Sequence, residues 1–277
     1  MPTSELQQKT ERLKAVLAEM GSVAVAFSAG VDSAFLLKVT HDVLGDRAVA
    51  VTASTAAFPE RERNAAAAFC EAEGIRLLTV SIDVFAVPGF FDNPPDRCYL
   101  CKKAIFSRLL QTAQESGARV LVEGTNADDT GDYRPGMRAV RELGVRSPLF
   151  EVGLTKSEIR ALSREMGLPT WQKPALACLA TRIPYGDAIT PQKLAMIDGA
   201  ELKLAELGFR QYRVRLHGDA ARIEVLPDEL VRFADPALRD AVSAALHQLG
   251  FRYVSLDLDG YRTGSLNAVL QSTAHNP

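Results

Sequence analysis

The sequence has little that would hold it in a membrane or on a nucleic acid. No apolar run among its 277 residues approaches the ~20 residues of a bilayer-spanning helix. Residues 1–8 (MPTSELQQ) are polar where a signal peptide would be apolar, so a cytoplasmic protein without a membrane partner is expected. Neither charge is in excess, with 32 Lys and Arg against 34 Asp and Glu and a net charge of −2. The basic field that draws nucleic acid is therefore missing. Cysteine is scarce at four residues. In a reducing compartment so small a number, two of them as Cys98-x-x-Cys101, speaks for metal or redox chemistry rather than a disulfide framework. The sequence has no G-x-x-x-x-G-K-S/T, which excludes a Walker P-loop, no internal repeat and no low-complexity segment.

What is present is organised around residues 22–33, SVAVAFSAGVDS. Val23, Val25 and Phe27, with Ala24 and Ala26 between them, form the apolar run of a strand covered on both faces. The run stops at Ser28-Ala29-Gly30-Val31-Asp32-Ser33, and a helix is expected over 34–44. Such a turn supplies hydroxyls, a carboxylate, a glycine that lets the backbone approach a ligand, and the amide-rich start of a helix, which attracts phosphate. S-x-G-V-D-S after a strand resembles the PP-loop of the ATP pyrophosphatases, adenylating enzymes in which this loop holds the β and γ phosphates while a substrate oxygen attacks the α phosphorus. The resemblance implies an α/β, Rossmann-like parallel sheet and the release of pyrophosphate. It carries Ser28, Gly30, Val31, Asp32 and Ser33 into ATP binding, with Ala29 standing where that family usually has a glycine.

The flanking sequence repeats the alternation. Leu13, Val16, Leu17 and Met20 recur at helical spacing before Gly21, and residues 48–53 (AVAVTA) and 75–82 (IRLLTVSI) read as strands. Pro59 and Glu60 open an Ala-rich helix that Gly74 stops. Cys70, inside it, reads as a packed thiol. Helix and strand in turn predict a parallel sheet covered by helices, with the ligand crevice at the C-terminal ends of the strands. Residues 88–97 break the pattern, and Cys98 and Cys101 follow just ahead of a helix expected over 104–116. Two thiols at the positive end of a helix suit a redox pair or two metal ligands. A thioredoxin-like reading is disfavoured, because the motif follows a long irregular stretch rather than a strand.

Residues 119–122 (RVLV) form the next strand and run into Glu123-Gly124-Thr125-Asn126-Ala127-Asp128-Asp129, a second polar edge on the same side of the expected sheet. Asp128 and Asp129 are candidates to hold Mg²⁺ against ATP phosphates, and Gly124 and Thr125 to line the ribose or α phosphate. Arg134 is a candidate to meet a phosphate or a substrate carboxylate bidentately. Residues 123–136 (EGTNADDTGDYRPG) together with 146–186 (RSPLFEVGLTKSEIRALSREMGLPTWQKPALACLATRIPYG) closely resemble the LarE family, ATP-dependent sulfur transferases that make the nickel-pincer nucleotide cofactor of lactate racemase. The resemblance covers essentially the whole chain.

Within that stretch Thr155 and Glu158 form a capping pattern, and Cys178 lies in a Pro-flanked loop where Lys173, Arg182 and Tyr185 predict a cationic setting that favours a thiolate. Beyond Pro184 an amphipathic helix over 190–207, a hairpin of 212–216 with 222–226, a largely helical 227–249 and a strand at 252–258 predict a smaller α+β domain. Residues 1–183 are then the PP-loop domain, and 184–277 a C-terminal domain for substrate placement and oligomerisation in a homo-oligomer. Alternation puts Arg213 and Arg215 on one strand face with Glu224 on the partner strand. Spacing alone reads this as a solvated face.

The family resemblance implies an ATP-dependent sulfurtransferase that adenylates a carboxylate of a pyridinium dicarboxylate mononucleotide and converts it to a thiocarboxylate, releasing AMP and pyrophosphate. It carries Glu201, Arg213, Arg215 and Glu224 into the sulfur-delivery site and gives Cys178 the sulfur chemistry. Cys98, Cys101 and Cys178 resemble the family's three-cysteine branch, whose thiolates ligate three irons of a 4Fe–4S cluster while the fourth carries sulfide. The rival mechanism sacrifices the sulfur of Cys178 itself. ATP, Mg²⁺ and the cluster are the implied cofactors, with sulfide or another sulfur donor as co-substrate. The other readings are a transfer-RNA thiolase, an amide ligase of the GMP synthetase type and a non-catalytic nucleotide sensor. The first calls for a basic face, the second has no use for a cysteine trio, and the third releases no pyrophosphate.

Overall fold

Apolar strands and amphipathic helices alternate from the start of the chain. The computed structural model describes residues 4–130, 135–175 and 177–267, so Arg134 lies outside the described residues. In chain order α1 (Ser4–Met20), β1 (Val23–Ala26), α2 (Val31–Leu44), β2 (Ala48–Ser54), α3 (Glu60–Glu73), β3 (Leu77–Ser81), α4 (Arg97–Glu115) and β4 (Val120–Val122) come first. Next are α5 (Pro135–Glu142), α6 (Pro148–Glu151) and α7 (Lys156–Glu165), then α8 (Pro191–Glu206), β5 (Tyr212–His217), β6 (Ala220–Val225), α9 (Pro236–Gln248) and β7 (Tyr253–Leu256). The chain divides into two units, Met1–Phe90 with Asp96–Leu176 and Phe91–Pro95 with Ala177–Pro277.

The first unit is built on a parallel sheet of order β3-β2-β1-β4. Val23, Ala24 and Val25 are all fully buried. Successive strand residues face opposite ways, so β1 is covered on both sides. Leu13, Leu17 and Met20 of α1 are buried in the same core, each contributing about 1.5–3 kcal/mol through the apolar surface it removes from water. Gly74 stops α3 at a left-handed φ of 66°, with its amide bonded back to Cys70 and Glu71. Ala50 and Val122 flank Val25 on neighbouring strands, which sets the exits of β1 and β4 side by side. The chain leaves β1 for β2 on one side while β4 lies on the other, and this change of direction opens a crevice at the strand ends.

The second unit carries a smaller mixed sheet of order β5-β6-β7, antiparallel between β5 and β6 and parallel between β6 and β7. The segment Phe91–Pro95 belongs to it. Asn93 is fully buried at a φ of 51°. Its side-chain amide donates to the carbonyls of Ile183 (3.2 Å) and Pro184 (2.6 Å), and its own carbonyl accepts from Gly186. One boundary differs from expectation. α4 begins at Arg97, not near 104, so Cys98 and Cys101 lie inside its first turns, one turn apart on a common face.

Candidate active site

β1 ends at Ala26, and the backbone turns at Ala29 with a left-handed φ of 54°, a conformation that costs an alanine about 1–2 kcal/mol. Bonds across the turn hold it. The Ser28 and Ser33 hydroxyls lie 3.0 Å apart, Ser33 Oγ donates to the Gly30 carbonyl at 3.2 Å, and Lys173 Nζ donates to the Ala29 carbonyl at 2.9 Å. Gly30 is the N-cap of α2 and no side chain caps it, so no side-chain cap competes with an anion for the first-turn amides.

Asp32 stands in that first turn. One carboxylate oxygen accepts from Lys156 Nζ at 2.5 Å. The other, Oδ1, is buried and has no hydrogen-bond partner among the described residues. Burial pushes the carboxyl above the usual carboxylate range, against the pull of Lys156. A desolvated carboxylate oxygen with unmet demand for positive charge is suited to a hard cation, so Asp32 fits Mg²⁺.

The β4 exit meets this loop. Glu123 is buried and accepts from the Thr125 amide (3.1 Å), the Thr125 hydroxyl (2.8 Å) and the Ser147 hydroxyl, which fixes the turn. A Cβ on Gly124 would lie 3.0 Å from the Ser33 amide nitrogen and 3.3 Å from Asp32 Cβ. The two strand exits are therefore packed at a distance that suits glycine. Gly124→Ala is expected to cost about 1–3 kcal/mol of stability through overpacking and to weaken ATP binding by pushing the loops apart; a thermal melt with and without ATP measures both. Asp128 and Asp129 each commit one oxygen to the backbone, Asp128 to the Lys156 amide at 2.8 Å and Asp129 to the Asn126 amide at 3.0 Å. Asp129 is also close enough to raise the Asp32 carboxyl further.

Two lysines complete this side. Thr155 and Glu158 form the predicted capping box at the start of α7, which fixes Lys156 at its first position. Lys173 follows the turn Pro169–Gln172. Its ammonium donates to Glu62 at 2.7 Å as well as to Ala29.

The second unit holds its own charged cluster. Cys178 precedes the short turn Leu179–Arg182, and its carbonyl accepts from Thr181 Oγ1 (2.7 Å) and Arg182 Nη1 (3.0 Å). Arg182 and Glu201 are fully buried and joined by two bonds of 2.7 and 2.9 Å. Arg182, the cation expected beside the thiol, is paired with Glu201 and also holds the carbonyls of Ala177 and Cys178. Arg215 and Glu224 are also buried and doubly bonded, at 3.0 Å each, although Arg213 is the register partner of Glu224. Burial, reinforced by the charge of Arg182, pushes Arg213 down to about 10, and its guanidinium lies 5.2 Å from the centre of the Tyr261 ring. The face read from spacing as solvated is buried, with Arg213 and Arg215 4% and 7% exposed.

No family model matches the chain. It is 39% identical over 266 residues, 96% of each chain, to the pyridinium-3,5-bisthiocarboxylic acid mononucleotide synthase of Lactiplantibacillus plantarum. The chain belongs to the LarE family. It is 40% identical, over 96% of its length and 99% of the relative's, to an uncharacterised protein of Synechocystis. A glutamine-hydrolysing GMP synthase chain of Methanocaldococcus jannaschii is 29% identical over 61% of this chain and 57% of its own, a partial match that agrees with the α/β PP-loop unit.

In this LarE-family chain the remaining cysteines differ in setting. Arg97, 1% exposed, donates to Cys98 Sγ at 3.3 Å, and Cys101 is buried. Burial pushes the Cys70 thiol up to about 11, which makes it a poor nucleophile and matches its reading as packing. Among the described residues no group of three His, Cys, Asp or Glu side chains is gathered as a metal site. Cys98 and Cys101 belong to the first unit and Cys178 to the second. Sequence reasoning missed Lys156 as a partner of Asp32 and Glu62 as a partner of Lys173. The capping box marked Lys156 as a helix start, but both contacts join residues more than 100 positions apart.

Proposed function

We propose that the protein is an ATP-dependent sulfurtransferase that converts a carboxylate of pyridinium-3,5-biscarboxylic acid mononucleotide to a thiocarboxylate through an acyl adenylate. A carboxylate is a poor electrophile at neutral pH, and adenylation supplies AMP as leaving group. The family membership supports the substrate. The observation that carries the adenylation half is Asp32, an orphaned buried carboxylate oxygen at an uncapped helix start. In this reading Ser28, Gly30, Val31, Asp32 and Ser33 hold the polyphosphate, Gly124 and Thr125 line the nucleotide, and Asp32 with Asp128 or Asp129 would hold Mg²⁺, which when bound offsets polyphosphate charge. Arg134 is assigned an anion-binding role. The second unit places substrate through Arg213, Arg215, Glu201 and Glu224 and supports assembly of a homo-oligomer.

For the sulfur step we assign Cys178, with Cys98 and Cys101, to ligation of a 4Fe–4S cluster, since three soft thiolates suit iron and such a cluster, when bound, supplies sulfide renewably. Sulfide adds to the acyl carbon, the carbon–oxygen bond to AMP breaks, and AMP leaves with the electron pair. Anaerobic turnover with sulfide tests this. Loss of iron, sulfide and activity together in Cys98→Ala, Cys101→Ala and Cys178→Ala is the expected result. Intact activity in Cys98→Ala, with a chain lighter by one H₂S at position 178 after a single turnover, is the result of the sacrificial mechanism and excludes the cluster.

A further inference from the structure

The charged cluster of the second unit has a cover that no step above employs. After β7 the chain turns back along β6, where the Asp257 amide donates to the Ile223 carbonyl at 2.8 Å and the Tyr261 amide to the Val225 carbonyl at 2.7 Å. Gly260 is buried between these bonds, and a Cβ there would stand 2.8 Å from the Val225 carbonyl oxygen. The chain therefore runs tight against β6. Anchored in this way, Tyr261 lays its ring 5.2 Å from the Arg213 guanidinium, within the range of a cation–π contact. Four residues on, the Ser265 hydroxyl accepts from Arg215 Nη2 at 2.8 Å. Residues 257–265 thus meet both arginines of β5.

The two contacts differ in how easily they are replaced. Arg215 is already held by both oxygens of Glu224 and by the Thr181 carbonyl at 2.7 Å, so Ser265 adds a neutral acceptor to a guanidinium fixed without it. An oxyanion offers the same nitrogen a stronger, charge-assisted bond. Residues 262–264, which lead to Ser265, are exposed, so this end can lift while the end at Gly260 stays paired to β6. Tyr261 is of the other kind. Its backbone is bonded to β6 and its side chain is half-buried, which fixes the ring on Arg213. We propose that residues 257–265 form a strap across the β5 arginines, in which Tyr261 is a positioning residue for Arg213 and Ser265 a placeholder on Arg215 that an oxyanion of the pyridinium nucleotide displaces. The proposal rests on the reading of the second unit as the part that places substrate.

Calorimetric titration of the full chain with pyridinium-3,5-biscarboxylic acid mononucleotide, and separately with Mg–ATP, tests the strap. Tyr261→Leu is expected to lose about tenfold in affinity for the pyridinium nucleotide, equivalent to ~1.4 kcal/mol. Tyr261→Phe should stay within about twofold of the wild type, because the ring face and not the hydroxyl holds Arg213. Ser265→Ala should bind the nucleotide about twofold more tightly or better, since no hydrogen bond has then to be given up. Affinity for Mg–ATP should stay within about twofold in all three, as expected of an independent site. Unchanged nucleotide affinity in Tyr261→Leu, an equal loss in Tyr261→Phe, or weaker binding by Ser265→Ala overturns the strap. Should Tyr261→Leu not fold, Ser265→Ala carries the test by the sign of its effect. A wild-type chain that binds Mg–ATP but not the pyridinium nucleotide overturns the substrate reading itself, so the two failures are told apart.

Discussion

Asp32→Asn is expected to abolish AMP and pyrophosphate formation, by about 10²–10³-fold or more, in a protein that unfolds no more easily than the wild type. The loss follows from the chemistry of the position, since an amide cannot supply the anionic oxygen that the Asp32 fit to a cation requires. The stability follows from linkage. Burial raises the Asp32 carboxyl above its usual range in the folded chain, so between the unfolded and folded values the folded state holds a proton that the unfolded state has released. Stability therefore falls as pH rises through that window, and the penalty stays at its full size above it. Asparagine removes the penalty. The wild-type minus variant difference in unfolding free energy should be near zero at low pH and turn against the wild type as pH rises past the carboxylate range. Urea unfolding across pH, with an AMP assay, measures both parts. Full activity in Asp32→Asn would remove the nucleotide from this loop.

The second large effect is expected at Arg182. Its guanidinium and the Glu201 carboxylate are both 0% exposed, and removing one partner of such a pair strands a charge at a cost of about 3–5 kcal/mol. Arg182→Ala should accordingly destabilise the second unit severely and release the backbone of Ala177 and Cys178, which Arg182 holds. The informative variant is the double substitution Arg182→Met with Glu201→Leu, because replacing both charges by apolar groups of similar volume is often neutral or stabilising. Recovered stability without recovered sulfur transfer is the expected outcome, measured by urea unfolding and thiocarboxylate formation. Recovery of both would reduce the pair to a structural contact.

The strands were legible because their signals are local. Val23, Val25 and Phe27 carry an uninterrupted apolar pattern, and Gly74 and the Thr155–Glu158 box act on neighbours within a turn or two. The start of α4 was not legible, because residues 88–97 hold Pro, Gly and Asp up to the first turn itself. Spacing on β5 showed that Arg213 and Arg215 share a face but not which side of the sheet is covered, since alternation reports direction and not burial. The arginine and glutamate pairs that fill that face became apparent only once α8 and the turn Leu179–Arg182 were packed against β5.

By itself, then, the sequence determined the α/β alternation, the loop after β1, its resemblance to adenylating enzymes and the cysteine spacing, all of which are written in residues a few positions apart. The tertiary structure decided the charge partnerships. Lys156 belongs to Asp32, Lys173 to Ala29 and Glu62, and Arg182 to Glu201. A charged side chain is drawn by whatever opposite charge the fold brings within a few ångströms, and the partners of Lys156 and Lys173 lie more than a hundred residues away. No local pattern encodes that choice.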